Sequence, residues 1–142
     1  MNIRQRLVRW FFGSERFEFE RVVLSAGAAR QITGFARRSH PREFSALLTG
    51  TLAKKTLRIT DIIYQHFEAS DRAAFMRINV PLTTDVKGSV HSHPTPNNFP
   101  SAADRRFFNK YGYVNFIIGY PYNERSIACY DIYGRPIEFE II

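Results

Sequence analysis

The stretch HSHPTPNNFPSAAD, residues 91–104, places two histidines, two serines and an aspartate within fourteen positions. His91 and His93 close a run of strand-forming residues, and side chains two apart on a strand leave from the same face. A proline then ends the strand, and a short loop leads into a helix that begins after Ser101. Asp104 falls in the first turn of that helix, where the helix dipole favours a carboxylate. The pattern predicts that the two imidazoles and this carboxylate converge.

Two neutral imidazoles and one carboxylate form a three-ligand set for zinc, which leaves the fourth position open for water, as in catalytic sites. The same set suits non-haem iron, so the ligands alone leave the metal open. Each part also has a simpler explanation, because Ser101 with Asp104 resembles an ordinary capping box and alternate histidines often face solvent. The full pattern His-x-His-x7-Ser-x2-Asp, however, is expected by chance in roughly a few of every ten thousand chains this long.

The rest of the chain alternates strand-forming and helix-forming segments. Ser25 is a favourable N-cap for a helix over residues 26–39, which His40 and Pro41 end. Further segments are predicted from periodicity and turn residues: a helix at 101–111 and strands at 17–24, 44–52, 57–64, 74–78, 88–93, 114–120, 127–133 and 137–142. This mixture predicts an α/β fold, a three-layer sandwich in which helices flank a central mixed β-sheet.

Length and cysteine usage limit the class of protein. A chain of 142 residues is the size of one domain. Cys129 is the only cysteine, so an intramolecular disulfide is excluded, and its apolar surroundings predict a core thiol in a reducing, cytoplasmic setting. No uncharged apolar stretch approaches the ~20 residues of a membrane span.

The net charge of +7 is concentrated near the start of the chain, where residues 1–42 hold nine Lys and Arg against three Asp and Glu. Residues 1–16 are predicted to form a basic amphipathic arm, separate from a domain over residues 17–142. Such an arm could lie on a membrane surface, dock on a partner or cover part of the core. A basic balance also raises a nucleic-acid role, which a steep salt dependence of DNA binding would reveal.

The stretch from His91 to Asp104 resembles the signature of a known family. His91, His93, Pro94, Pro100, Ser101 and Asp104 match the signature of the JAMM (MPN-plus) metalloprotease family without a gap. The resemblance extends over about residues 17–142. It implies a fold similar to that of the cytidine deaminases, with Zn²⁺ as the cofactor. It also implies cleavage of isopeptide or peptide bonds behind the C-terminal tail of ubiquitin or a ubiquitin-like protein. The short chain resembles the archaeal and bacterial members, which act on small ubiquitin-like modifiers or sulfur-carrier proteins.

The family also has a glutamate before a strand, upstream of the histidines. Glu43 is the candidate, because it is the only acid between Glu20 and Asp61. The resemblance implies that Glu43 is the general base and that Ser101 donates a hydrogen bond to the substrate carbonyl as that oxygen gains charge. Taken alone, a glutamate before a strand would be a solvated end residue.

Two other functions fit the sequence less well. Parts of the superfamily have lost the site and serve as assembly modules, although all five catalytic positions are intact here. RadC-like DNA-repair proteins carry a similar histidine, serine and aspartate stretch, but they usually have a glycine soon after the histidines, where this chain has TPNNF. His40 and His66 are assigned packing and solvated roles, and the oligomeric state is left open.

Overall fold

The computed structural model describes residues 19–65, 85–108 and 112–142. Helices and strands follow in the order β1 (Arg21–Leu24), α1 (Ala26–Ser39), β2 (Ser45–Ala53), β3 (Thr56–Gln65), β4 (Val86–Ser92), α2 (Ala102–Phe108), β5 (Val114–Ile118), a 3-10 turn (Glu124–Ser126), β6 (Ile127–Tyr130), β7 (Pro136–Ile137) and β8 (Glu140–Ile141). The predicted arm at 1–16, the strand at 74–78 and His66 lie outside the described residues, so the domain boundary after residue 16 stays a prediction.

Helix α1 begins and ends where the sequence indicated. The Ser25 side chain accepts a hydrogen bond from the Ala28 N–H at 3.0 Å, as an N-cap does. At the other end the His40 N–H donates to Ala36 O at 3.1 Å, which closes the last turn. The buried positions recur at helical spacing: Ala28, Ala29, Ile32 and Ala36. The small side chains among them let the helix lie close to the sheet.

The eight strands of the described residues form one mixed sheet in the order β7-β6-β5-β4-β2-β3-β1-β8. The sequence predicted a single last strand over 137–142, and that prediction is wrong. β7 pairs with β6 at one end of the sheet, whereas β8 pairs with β1 at the other. Only residues 138 and 139 connect these two strands. They cannot span a flat eight-stranded sheet, because a chain extends at most about 3.6 Å per residue. The sheet therefore curls until its two ends approach each other.

Each face of the sheet carries its own apolar cluster. The larger cluster joins α1 to side chains from β1 to β6. Phe139, between β7 and β8, packs edge-on against Phe116 in that cluster, with ring centroids 5.3 Å apart, so this face is the inside of the curl. The smaller cluster joins α2 to the opposite face: Leu47, Phe107, Phe108, Ile117 and Tyr130. Helix, sheet and helix make three layers, and the predicted α/β sandwich is confirmed.

The β2–β3 hairpin turns through Lys54 and Lys55, whose φ angles are 50° and 62°. Positive φ at both central residues is the geometry of a type I′ turn, which matches the twist of the flanking strands. The turn lies where the sequence predicted it, although asparagine and glycine are the residues that usually occupy such positions.

Cys129 is buried, and burial raises the pKa of its thiol far above the ordinary value, which supports the prediction of an unreactive core thiol. No helix among the described residues is long and apolar enough to cross a membrane.

Gly88 on β4 offers a test of how closely the central strands pack. A Cβ at this position would overlap the carbonyl oxygen of Val114 on the neighbouring strand, so we expect Gly88→Ala to lower the free energy of unfolding by about 3 kcal/mol or more. Gly34→Ala on α1 is the control, because the nearest group there is the mobile end of Arg38. It should instead raise stability by about 0.5–1 kcal/mol. Denaturant unfolding measures both, and equal effects would contradict the packing.

Candidate metal centre

The two histidines lie where β4 leaves the sheet. β4 is held on both sides, antiparallel to β2 and parallel to β5. His91 is within the strand, whereas the strand ends at Ser92, one residue earlier than predicted. His93 still follows the strand direction, because its N–H donates to Ile118 O of β5 at 2.9 Å. The alternation of side chains therefore continues, and both imidazoles lie on the face of the sheet that α2 covers.

Helix α2 supplies the third group. The Ser101 hydroxyl accepts from the Asp104 N–H at 3.1 Å, and the Ser101 N–H donates to Asp104 Oδ2 at 2.8 Å. These reciprocal bonds form a capping box with an aspartate in place of the usual glutamate. The cap fixes the side chain of Asp104, which is almost fully buried although it is ionisable. The ordinary explanation of the serine and aspartate is thus correct, and the cap also orients the carboxylate.

The three predicted ligands converge. His91 Nε2 lies 3.1 Å from His93 Nε2 and 3.1 Å from Asp104 Oδ1, and His93 Nε2 lies 3.3 Å from Asp104 Oδ2. Tetrahedral zinc with bonds of about 2.0–2.1 Å requires neighbouring donor atoms roughly 3.3–3.4 Å apart. Donor atoms at these separations are compatible with one zinc ion.

A backbone hydrogen bond sets the tautomer of His93. Its Nδ1 lies 2.7 Å from Asn97 O, and because a carbonyl can only accept, Nδ1 carries the proton. In the neutral ring Nε2 then keeps its lone pair for the metal, which is the usual arrangement of a zinc-binding histidine and its supporting carbonyl. The loop after the histidines is held in turn by Tyr130, whose hydroxyl donates to Asn98 O at 2.7 Å.

The protonation of the cluster follows from its contacts. Burial lowers the pKa of His93, but the hydrogen bond to Asp104, the bond to Asn97 O and the charges of Asp104 and Glu43 outweigh burial and raise it. For Asp104, burial raises the pKa, yet hydrogen bonds from His91 and His93, the charge of His91 and the Ser101 N–H hold it well below its usual range. The carboxylate is therefore ionised and ready to bind a cation.

Glu43 lies just before β2 and is partly buried. In the ladder between β2 and β4, Ser45 pairs with His91, and the next pair outward is Phe44 with Ser92, joined by the Ser92 N–H donating to Phe44 O at 3.0 Å. Continuing this register by one residue brings Glu43 to His93 on the same face of the sheet. Its charge is among those that act on His93.

The solvent side of the cluster is asymmetric. The side chain of His91 is 1% exposed, whereas that of His93 is 14% exposed, and Ser101 beside it is an exposed residue. The cluster is therefore open to solvent on the side of His93 and Ser101.

Sequence reasoning overlooked some residues around the site. The His40 Nδ1 lies 2.7 Å from the Tyr122 hydroxyl, and Tyr122 is buried with a positive φ of 63°. This contact supports a packing role for His40. Ser92 between the two histidines was also overlooked, although it bonds the backbone beside Glu43. The contact of Ser92 depends on the strand register, and that of His40 joins residues 82 positions apart, so the sequence indicates neither.

Comparisons with known proteins agree with this geometry. Residues 25–132 match the family described as prokaryotic homologs of the JAB domain. A probable metalloprotease from Haloferax volcanii is 29% identical over 131 residues, which cover 87% of this chain and 81% of the relative.

Among solved structures, a JAMM protein described as a metalloprotease-like zinc site in the proteasome and signalosome is 32% identical, with a TM-score of 0.67, over 87% of this chain and 99% of that one. A JAB1/MPN domain protein from Archaeoglobus fulgidus is 34% identical, with a TM-score of 0.65, over 84% and 97% of the two chains.

The fold is a curled mixed sheet with a helix on each face, and a His-His-Asp group lies at the end of a central strand. Together these features define a JAB/MPN-type domain with a metalloprotease-like zinc site. The chain belongs to the prokaryotic JAB-domain family, as a compact JAMM/MPN member.

Protons and zinc compete for the imidazole nitrogens, because zinc binds only the neutral ring. Since the pKa of His93 lies above its ordinary value of 6.5, we expect the apparent zinc affinity to fall as the pH drops through that raised pKa. The fall should reach about tenfold per pH unit for each proton displaced. Competition titration against a chromophoric chelator measures it. His40→Ala, which removes a histidine outside the cluster, should keep the wild-type profile, and a zinc affinity independent of pH would exclude imidazole ligands.

Proposed function

We propose that this protein is a zinc-dependent hydrolase that cleaves isopeptide or peptide bonds after the C-terminal tail of a ubiquitin-like or sulfur-carrier protein. The observation that carries the proposal is the convergence of His91, His93 and Asp104 at zinc spacing beside Glu43. Membership of the JAMM family supports the substrate class. Zinc in such an open three-ligand site supplies Lewis-acid activation of water and of a carbonyl at neutral pH.

The protein's own residues would handle the protons. Glu43, beside His93 in the extended strand register, is assigned the role of general base that takes a proton from the attacking water. It then delivers that proton to the departing lysine amine, which would otherwise leave as a poor anionic leaving group. A partly buried carboxylate next to the metal ligands is suited to both steps, since it lies close to the reacting atoms while remaining open to substrate.

Ser101 is assigned the role of oxyanion donor. Its hydroxyl oxygen already accepts the Asp104 N–H, so the hydroxyl proton is not used by that bond. The cap therefore leaves a donor next to Asp104 on the exposed side of the cluster. A hydrogen bond from this hydroxyl would stabilise the substrate carbonyl as negative charge develops on its oxygen.

The proposal is tested by incubating zinc-loaded protein with lysine-linked conjugates and linear fusions of ubiquitin and small ubiquitin-like modifiers, with and without a zinc chelator. We expect cleavage that the chelator abolishes. Glu43→Gln should keep its zinc and lose turnover, while His93→Ala and Asp104→Ala should lose zinc as well. Metal analysis separates the two cases. Cleavage by Glu43→Gln at the wild-type rate would exclude the base assignment, and intact substrates throughout would exclude the function.

Ser101→Ala should lower kcat by about 10²-fold or more while the zinc content stays unchanged, because an oxyanion donor acts mainly in the transition state. The same change removes the cap of α2 and should lower the free energy of unfolding by about 1 kcal/mol. Ser101→Thr keeps both the cap and the donor and serves as the matched control. A variant that loses stability but keeps kcat would limit Ser101 to its capping role.

A further inference from the structure

Ser92 occupies an unusual place in the ladder between β2 and β4. It is fully buried, and it lies between the two metal-binding histidines with its side chain on the opposite face of the sheet. Its Oγ accepts a hydrogen bond from the Phe44 N–H at 2.9 Å, while its own N–H donates to Phe44 O at 3.0 Å. Ser92 therefore holds both backbone polar groups of the residue next to Glu43.

In a regular antiparallel ladder, two residues of a hydrogen-bonded pair exchange both N–H···O bonds through their backbones. Here the side chain of Ser92 replaces its carbonyl in one of the two bonds. The backbone of β4 can thus leave the ladder towards His93 and Pro94 while Phe44 remains paired. Without an acceptor on the side chain, the buried Phe44 N–H would lose its partner at the point where the ladder ends.

We propose that Ser92 is a positioning residue, which holds Glu43 in register with the metal ligands through the backbone of Phe44. The inference rests on the base role proposed for Glu43. Ser92 touches neither metal nor substrate, so its effect on the reaction would be indirect. A carboxylate displaced by about 1 Å is enough to lower a rate by about 10²-fold, which makes the register of this one pair important for turnover.

The variants Ser92→Ala and Ser92→Thr separate the acceptor from the bulk of the side chain. The substrate is a ubiquitin-like conjugate that the wild-type protein cleaves. With it, Ser92→Ala should lower kcat by about 10- to 100-fold and leave KM and zinc content within about twofold. Ser92→Thr retains the hydroxyl and should stay within about threefold of the wild type.

Ser89→Ala is the matched control. Ser89 is a buried serine of the same strand, and its Oγ donates to Asn115 Oδ1 at 2.7 Å, away from Phe44. Its loss should change kcat less than about threefold. An equal loss in both alanine variants, or wild-type kcat in Ser92→Ala, would overturn the proposal.

A double-mutant cycle tests whether Ser92 acts through Glu43. In the Glu43→Gln background, Ser92→Ala should lower the residual turnover by less than about a further twofold, because the group that it positions is already gone. Losses that multiply in full would show that Ser92 acts on something other than Glu43, and would overturn the inference.

Two measurements do not depend on turnover. Amide hydrogen exchange of Phe44 should become at least about tenfold faster in Ser92→Ala, while Leu48 in the middle of β2 stays unchanged. In Co²⁺-loaded protein, the paramagnetic shifts of the Glu43 side chain report its distance from the metal. They should shrink in Ser92→Ala and remain in Ser89→Ala. Unchanged exchange and shifts would overturn the proposal, whereas these effects in a protein that cleaves no conjugate would overturn the proposed function alone.

Discussion

The pairing of Ser45 with His91 across β2 and β4 fixes which side chains meet at the end of the sheet. Because side chains alternate along a strand, a slip of β4 by one residue would move His91 and His93 into the apolar cluster around α1. The same slip of β2 would turn Glu43 to the opposite face. The register is determined by burial, since Ala46 and Leu48 fill one cluster and Leu47 the other. Chemistry at the strand end thus depends on packing several residues away.

The second constraint is electrostatic. Burying a carboxylate costs free energy unless several donors compensate its charge. The Asp104 carboxylate accepts a hydrogen bond from the Ser101 N–H and contacts the imidazoles of His91 and His93. The same groups that stabilise the anion bring its two oxygens to the histidine nitrogens. A cation bound among these groups would take the place of protons. Folding and metal binding therefore require the same arrangement of atoms. The helix cap is therefore part of the metal centre.

Much of this arrangement could be predicted from the sequence. The spacing of His91, His93 and Asp104 contained the strand alternation and the helix start, so the ligand set followed from local rules. The split of residues 137–142 between two edges did not, because local propensity says nothing about which partner a strand takes. The same limit applies to Ser92: the serine was visible, but its bond to Phe44 depends on a pairing between segments nearly fifty positions apart. Glu43 could be placed near the histidines only through the resemblance to the JAMM family, because its position also depends on strand pairing.

The hairpin tip at Lys54 and Lys55 has a consequence for solubility. Left-handed backbone costs an L-residue roughly 1–2 kcal/mol, and asparagine and glycine would avoid most of that cost. Two lysines instead put positive charge at an exposed tip, and charge of this kind discourages strands of other molecules from adding to a sheet. At this tip, conformational stability is exchanged for charge that disfavours strand addition. The tip lies at the opposite end of β2 from Ser45, the partner of His91, so a substitution there could recover stability without touching the metal centre.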